Sequence, residues 1–379
     1  MSDLDETTKA ILKRFRFDQV IFERMRVALL GAASAPGAER LSGTVTCPGA
    51  ADLVELPPRD TEDGKALSAI GQAALARGEV GMVVLAGGMA TRFGGVVKAV
   101  VEVVPGSSFL RLKLADIQVV AERNACTVPI FLMTSFATSD EIQRAVREFS
   151  HPRTPVQIVE QSVTMRLTST GDIFRDASGK PSLCATGHGD LLPTLRASGS
   201  LERFRQSGGR MLMISNVDNL AASLDPRVIG AHCRGGKSVT VEVVRKETGD
   251  RGGIPARVDG HLQIVEEFRL PASFDSSQVP FFNTNTFVLD AAAIDRDFDL
   301  DWFSVRRKVD GQETIQAERL LGQVTAFLPT QFLAVERHGR DGRFLPVKDR
   351  EELLMRMPEI QSLLRDLGIH EGTVRGREP

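Results

Sequence analysis

Val80-Gly81-Met82-Val83-Val84-Leu85-Ala86-Gly87-Gly88 is the stretch from which the rest of the chain can be organised. A near-continuous apolar run that ends in paired glycines reads as a strand buried on both faces and feeding a tight loop. Comparable runs follow it: VPIFLMTSF from Val128, VQIVEQ from Val156, RMLMISNVDN from Arg210, SVTVEVVRK from Ser238 and FFNTNTFVL from Phe281. Helical spacing separates several of them. From Ser108 to about Glu122 the residues Leu110, Leu114, Ile117 and Ala121 fall on one stripe, and Ser200 to Gln206 lies between a serine cap and a Gly208-Gly209 stop. Strands alternating with helices imply an α/β fold with a mostly parallel sheet covered on both faces. Ligands on such sheets bind beyond the carboxyl ends of the strands, so the residues after each run are the ones to inspect.

Upstream, Asp3 to Leu30 has helical spacing until the Gly31 to Gly37 stretch breaks it, and a second amphipathic helix runs to about Arg77, with Gly78 as its cap. With 379 residues the chain is long enough for two or three lobes. Its 42% hydrophobic and 25% charged content is that of an ordinary globular protein and excludes collagen-like, disordered and disulfide-dense classes. The formal net charge of -2 encodes no general attraction to nucleic acid or to an anionic membrane. No apolar run approaches the roughly 20 residues that span a bilayer. The N-terminus lacks the apolar core of a signal peptide, and Cys47, Cys126, Cys184 and Cys233 are scattered without a C-x-x-C pair. The expectation is a cytoplasmic protein without a zinc site.

Five places can carry chemistry. The loop Leu85-Ala86-Gly87-Gly88-Met89-Ala90-Thr91-Arg92-Phe93-Gly94-Gly95-Val96-Val97-Lys98 offers backbone N–H groups and two cations to a phosphate, or is simply a turn after a strand. Its spacing is neither a Walker P-loop nor a dinucleotide fingerprint. In Gly187-His188-Gly189-Asp190 the glycines permit close approach and His188 can donate to a phosphate oxygen; the same residues also suit a plain connection. Asp218, after the strand that ends in Ser215-Asn216, is either a hard-oxygen ligand for Mg²⁺ or a helix cap. Glu266, Asn283 and Asn285 suit hydrogen bonding to sugar hydroxyls, and the two asparagines equally suit a turn. Lys348 precedes a helix capped by Asp349, where a lysine is ordinarily solvated.

In this order and at these spacings the motifs GHGD, SNVDNL, FFNTN and FLPVK resemble the UTP-glucose-1-phosphate uridylyltransferase family, over about Val80 to Met355. The resemblance implies a Rossmann-like nucleotide-diphosphosugar transferase core with a mixed, mostly parallel central sheet. It divides the chain into a helical N-terminal segment (1–79), a catalytic core (80–350) and a helical C-terminal tail (351–379). It implies transfer of uridylyl from UTP to glucose 1-phosphate, with Mg²⁺, giving UDP-glucose and pyrophosphate. By the same resemblance Leu85, Ala86, Gly87 and Gly88 line the nucleotide, Gln161 reads the uracil edge and Gly187 offers backbone contact. His188 and Asn216 match sugar-phosphate and nucleotide contacts, Glu266, Asn283 and Asn285 the hexose contacts, and Asp218 the metal ligand. Lys98 and Lys348 match the phosphate-binding lysines, with Lys246 a further lysine of that kind; Arg92, which matches the broader sugar nucleotidyltransferases better than the glucose enzymes, adds positive charge around the phosphates.

Ala90 stands where the family loop has a glycine, and Val96-Val97 where a Gly-Pro dipeptide precedes the lysine. The first adds a methyl group and the second removes a rigid turn. The short stretch after Lys348 leaves no room for the C-terminal β-helix through which longer relatives associate, so a monomer or small homo-oligomer is expected. Galactose 1-phosphate or N-acetylglucosamine 1-phosphate as substrate, or a nucleotide-sugar-binding regulatory protein without turnover, are the competing readings.

Overall fold

Each of the quoted apolar runs forms a strand in the computed structural model, which describes residues 4–33, 40–90, 93–147, 149 and 151–369. The central sheet contains β1 (Leu53–Glu55), β2 (Val80–Leu85), β3 (Ile130–Thr134), β4 (Val156–Glu160), β5 (Met211–Asn216), β6 (Val239–Arg245), β7 (Phe281–Asp290) and β8 (Thr330–Ala334). Their order across the sheet is β1-β8-β6-β7-β5-β2-β3-β4. Every neighbouring pair is parallel except the two made by β7, which runs antiparallel to β5 and β6. The sheet is therefore mixed and mostly parallel.

Among the described residues the α-helices are α1 (Glu6–Arg14), α2 (Gln19–Ala33), α3 (Glu62–Ala76), α4 (Phe109–Arg123), α5 (Ser139–Val146), α6 (Leu191–Ala197), α7 (Ser200–Gln206), α8 (Pro226–Gly235), α9 (Arg350–Met355) and α10 (Met357–Leu367). Successive β2 residues explain why its sequence is apolar throughout. Met82 and Val84 pack with α3, α4 and α8 on one face, while Val83 packs with α6 and α7 on the other. Ser108 caps α4 as its position suggests, accepting from the Arg111 N–H at 3.2 Å. The cap of α7 is not a serine: Gly199, in the left-handed conformation, precedes Ser200, the first helical residue.

The expectation of a helical segment over 1–79 needs correcting. Val45–Thr46 and Leu53–Glu55 are strands, and the latter is β1, hydrogen-bonded to β8 at the edge of the central sheet. Leu53–Glu55 has three residues, too few to show alternation against its proline- and glycine-rich surroundings. The C-terminal tail is helical through Leu367, and residues 370–379 lie outside the described ones.

Candidate active site

The carboxyl ends of the parallel strands β2, β3, β4 and β5 share one edge of the sheet, and the loops that leave them build a cleft of about 760 Å³. At its floor the Ala86 N–H donates to Met133 O at 2.8 Å, which holds the chain in sheet register just before the glycines. The loop then folds back on itself. Met89–Ala90 pairs antiparallel with Val96–Val97, Gly94 and Gly95 at φ +90° and +80° make the turn, and the Lys98 N–H donates to Gly88 O at 3.2 Å. Ala90 and the two valines, the departures from the family pattern, are thus the paired residues of a small hairpin that delivers Lys98 into the cleft. Arg92 lies outside the described residues.

The opposite wall carries Gln161 and His188. A methyl group on Gly87 would come within 2.3 Å of Gln161 Nε2, so the glycine is what lets this amide lie against the loop. Gln161 is buried, and its Oε1 has no hydrogen-bond partner within the protein. Gly187 is needed for a different contact, since a Cβ there would meet Arg319 O at 2.5 Å. His188 Nδ1 accepts from the Leu321 N–H at 3.1 Å, and burial pushes the ring down to a pKa of about 4. The imidazole is therefore neutral near pH 7, its proton is on Nε2, and it can act as a donor at the cleft surface.

At the end of β5 the Asp218 carboxylate is ion-paired with the Lys98 ammonium. Neighbouring Asn216 Oδ1 accepts from Asn285 Nδ2 at 2.9 Å. Asn285 sits at φ +59° beside a register shift opposite Glu242 and Val243; its N–H donates to Asn283 Oδ1 at 2.9 Å, and its own Oδ1 is buried without a partner. The bulge turns both amides of the FNTN run away from regular ladder geometry, as such irregularities do.

The cleft thus brings together Leu85, Gly87, Gly88, Lys98, Gln161, Gly187, His188, Asn216 and Asp218. Ala86 is buried beneath it, and Asn283 and Asn285 join through Asn216. Glu266, which ends the strand His261–Glu266, lies outside the cleft lining; burial, then the charge of Glu267, pushes its carboxyl up to about 7, against the pull of Arg269. Lys348 is exposed, two residues beyond a β-bridge between Pro346 and Asn219, and its N–H donates to Glu352 Oε2 at 2.6 Å. Lys246 is tied to Glu267 at 3.2 Å, beside Glu266.

Several lining residues had no role in the sequence reading. Arg166 and Cys184 come from the hairpin Val163–Met165/Leu183–Ala185, and Arg307, Lys308 and Glu318 from Phe303–Val309/Gln312–Glu318. The basic run Arg306-Arg307-Lys308 just before the Asp310-Gly311 turn was the one available signal. Among the described residues no three His, Cys, Asp or Glu side chains converge. A cation at Asp218 would have one protein carboxylate and would complete its shell with ligand and water oxygens, a donor set that suits Mg²⁺.

A family model described as UTP--glucose-1-phosphate uridylyltransferase matches residues 51–371. Proteins of that name from Hordeum vulgare and Musa acuminata are 28% identical over 329 and 330 residues, covering 83% of this chain and 67% and 68% of theirs. The Solanum tuberosum protein is 29% identical over 295 residues, covering 74% of this chain and 61% of its own. The chain thus spans about two-thirds of the length of these relatives. Among solved structures, a UDP-N-acetylglucosamine pyrophosphorylase from Trypanosoma brucei superposes with TM-score 0.74 at 21% identity, covering 93% of this chain and 79% of that one. A UDP-glucose pyrophosphorylase from Leishmania major, in complex with UDP-glucose, gives 0.70 at 22% identity with the same coverages. Both share the fold.

Proposed function

The chain belongs to the UTP-glucose-1-phosphate uridylyltransferase family, and we propose that its cleft joins UTP to glucose 1-phosphate to give UDP-glucose and pyrophosphate. The observation that carries this reading is the meeting, in one cleft, of an unpartnered buried amide with a neutral histidine and a Lys98–Asp218 pair. Gln161 offers its free Oε1 to the imide edge of uracil, above the glycines that let the nucleotide backbone approach. His188 presents an Nε2 proton to a phosphate oxygen. Asn216, held by Asn285 and through it linked to Asn283, offers hexose hydroxyls acceptors and donors, with Glu266 a further hydrogen-bonding partner for the sugar.

The chemistry is in-line. A sugar-phosphate oxygen attacks the α-phosphorus, the new P–O bond forms, and the bond to the bridging oxygen breaks with its electron pair leaving on pyrophosphate. The oxygen is already ionised near neutral pH, so no strong base is required. Nor does the lining supply an activated nucleophile: burial pushes the Cys184 thiol up to about 12, so it stays protonated. The protein positions two anions and offsets their charge, through Lys98 and Arg92 of the glycine loop and Lys348. Asp218 is the residue that would hold Mg²⁺, which when bound would supply positive charge to offset that of the phosphates. The cysteines Cys47, Cys126, Cys184 and Cys233 are all unbridged, which supports a reducing compartment such as the cytoplasm.

Pyrophosphate release from UTP with glucose 1-phosphate, galactose 1-phosphate or N-acetylglucosamine 1-phosphate, with and without Mg²⁺, tests this. Metal-dependent release, fastest with glucose 1-phosphate, is expected. Asp218→Ala and Lys348→Ala should each lower kcat by about 100-fold or more. Near-normal turnover in either variant overturns that residue's role, and UDP-glucose binding without pyrophosphate release overturns the enzymatic reading.

A further inference from the structure

Asp218 and Lys348 come from distant parts of the chain, and two buried side chains outside the cleft join those parts. Asn219 follows Asp218 and is 1% exposed. Its Nδ2 donates to Arg343 O at 3.2 Å and its Oδ1 accepts from the Leu345 N–H at 2.9 Å. One carboxamide thereby pairs with the 343–345 backbone much as a neighbouring strand would, and the Asn219–Pro346 bridge continues the contact toward Lys348. Behind the turn, Lys113 on α4 is also 1% exposed; its ammonium donates to Asn219 O at 2.6 Å and to Ala222 O at 2.9 Å. Arg343 is anchored from the other side by Glu242 of β6, at 3.0 Å through Nε and 2.7 Å through Nη2.

A buried ammonium carries a desolvation cost that an apolar side chain on α4 would avoid. Burial lowers the Lys113 pKa to about 8 even with the charge of Asp116 beside it. The cation nevertheless directs two short hydrogen bonds at the carbonyls of the very turn that carries Asp218. Resting on the uridylyl-transfer reading above, we propose that Lys113 and Asn219 are positioning residues, forming a joint that holds Asp218 and Lys348 in fixed register across the phosphates. Lys113 fixes the turn, and Asn219 transmits its position to the 343–348 segment.

The joint makes a prediction that simple packing does not. In Lys113→Met, hydrogen exchange at the Leu345 amide should quicken about tenfold or more, although Lys113 makes its hydrogen bonds to the 219–222 turn and none to the 343–348 segment. Lys113→Met and Asn219→Ala should each lower kcat about tenfold or more, while KM for glucose 1-phosphate stays within about twofold. The double variant should be no worse than the more severe single, because both changes break one device. Additive losses, kcat within about twofold of wild type, or faster exchange confined to residues 219–224 overturn the proposal. If Lys113→Met fails to fold, Lys113→Met with Asp116→Asn removes both buried charges and takes its place. Wild-type protein that releases no pyrophosphate overturns the functional reading instead, and the Leu345 exchange then decides the joint alone.

Discussion

Burial moves two residues of the proposed site in opposite directions: at pH 7 His188 is neutral, while Glu266, an ordinary carboxylate elsewhere, still holds its proton about half the time. Desolvation disfavours charge, so it lowers the His188 imidazole to about 4 and raises the Glu266 carboxyl to about 7. For His188 this means a fixed hydrogen-bond donor rather than a titrating base. For Glu266 it makes stability depend on pH. Its folded value lies above that of the unfolded chain, so the native state holds the proton more tightly; the contribution is complete at low pH and is lost as pH rises through about 7. Relative to Glu266→Gln, the thermal midpoint of the wild type should therefore fall between about pH 5 and pH 8. Parallel pH profiles for the two proteins would show that the carboxyl is not held in this way. The identities of His188 and Glu266 were legible in GHGD and HLQIVE, but their protonation was not, because it depends on what covers them.

At the scale of elements, the glycine loop and the α3–α8 contact both depend on which residues lack or carry a Cβ. Val96 and Val97 replace a rigid turn with β-branched residues that favour extended backbone, and extended they are, paired with Met89 and Ala90. A loop position judged only by its missing Gly-Pro could not reveal this, since the pairing partner lies across a turn. The two helices approach through reciprocal glycines. A Cβ on Gly71 would lie 1.9 Å from Pro226 O, and one on Gly230 would lie 2.0 Å from Leu67 O. Backbone cannot yield as a flexible side chain can. Gly71→Ala or Gly230→Ala should each cost about 1–3 kcal/mol or more and lower the melting midpoint by about 5 °C. An unchanged midpoint would mean that the helices separate without penalty.

At the scale of the whole molecule, the N-terminal helices act as a support for the nucleotide-reading wall. Leu12, Phe15, Phe22, Met25 and Leu29 form one buried cluster with Val163, Met165, Leu167, Ile315 and Ala317, and Phe15 O accepts from the Val163 N–H at 2.9 Å. A second cavity, of about 620 Å³, lies between α2 and the core. Ser162, Thr186 and Gly189 face it, while their sequence neighbours Gln161, Gly187 and His188 face the cleft. Adjacent residues therefore form the two sides of one wall. Deleting residues 1–33 should lower the melting midpoint and raise KM for UTP several-fold; a truncated protein with unchanged values for both would show that the wall stands without the helices. The helical periodicity of this segment was readable from its own residues, whereas its docking was not, because the apolar partners lie more than 130 residues away in SVTMRL and TIQAE.

The sequence by itself determined the alternation of strands and helices, the mostly parallel sheet, and the family to which the chain belongs. Those follow from local periodicity and from short motifs whose residue types are set by their chemistry. Only the tertiary structure decided that β7 runs antiparallel between β6 and β5, that Lys98 rests on Asp218, and that Lys113 and Asn219 bind the Asp218 turn to the segment of Lys348. These are contacts between residues far apart in the chain. A buried charge or amide acquires its partner, its protonation and its role from neighbours that no local pattern names.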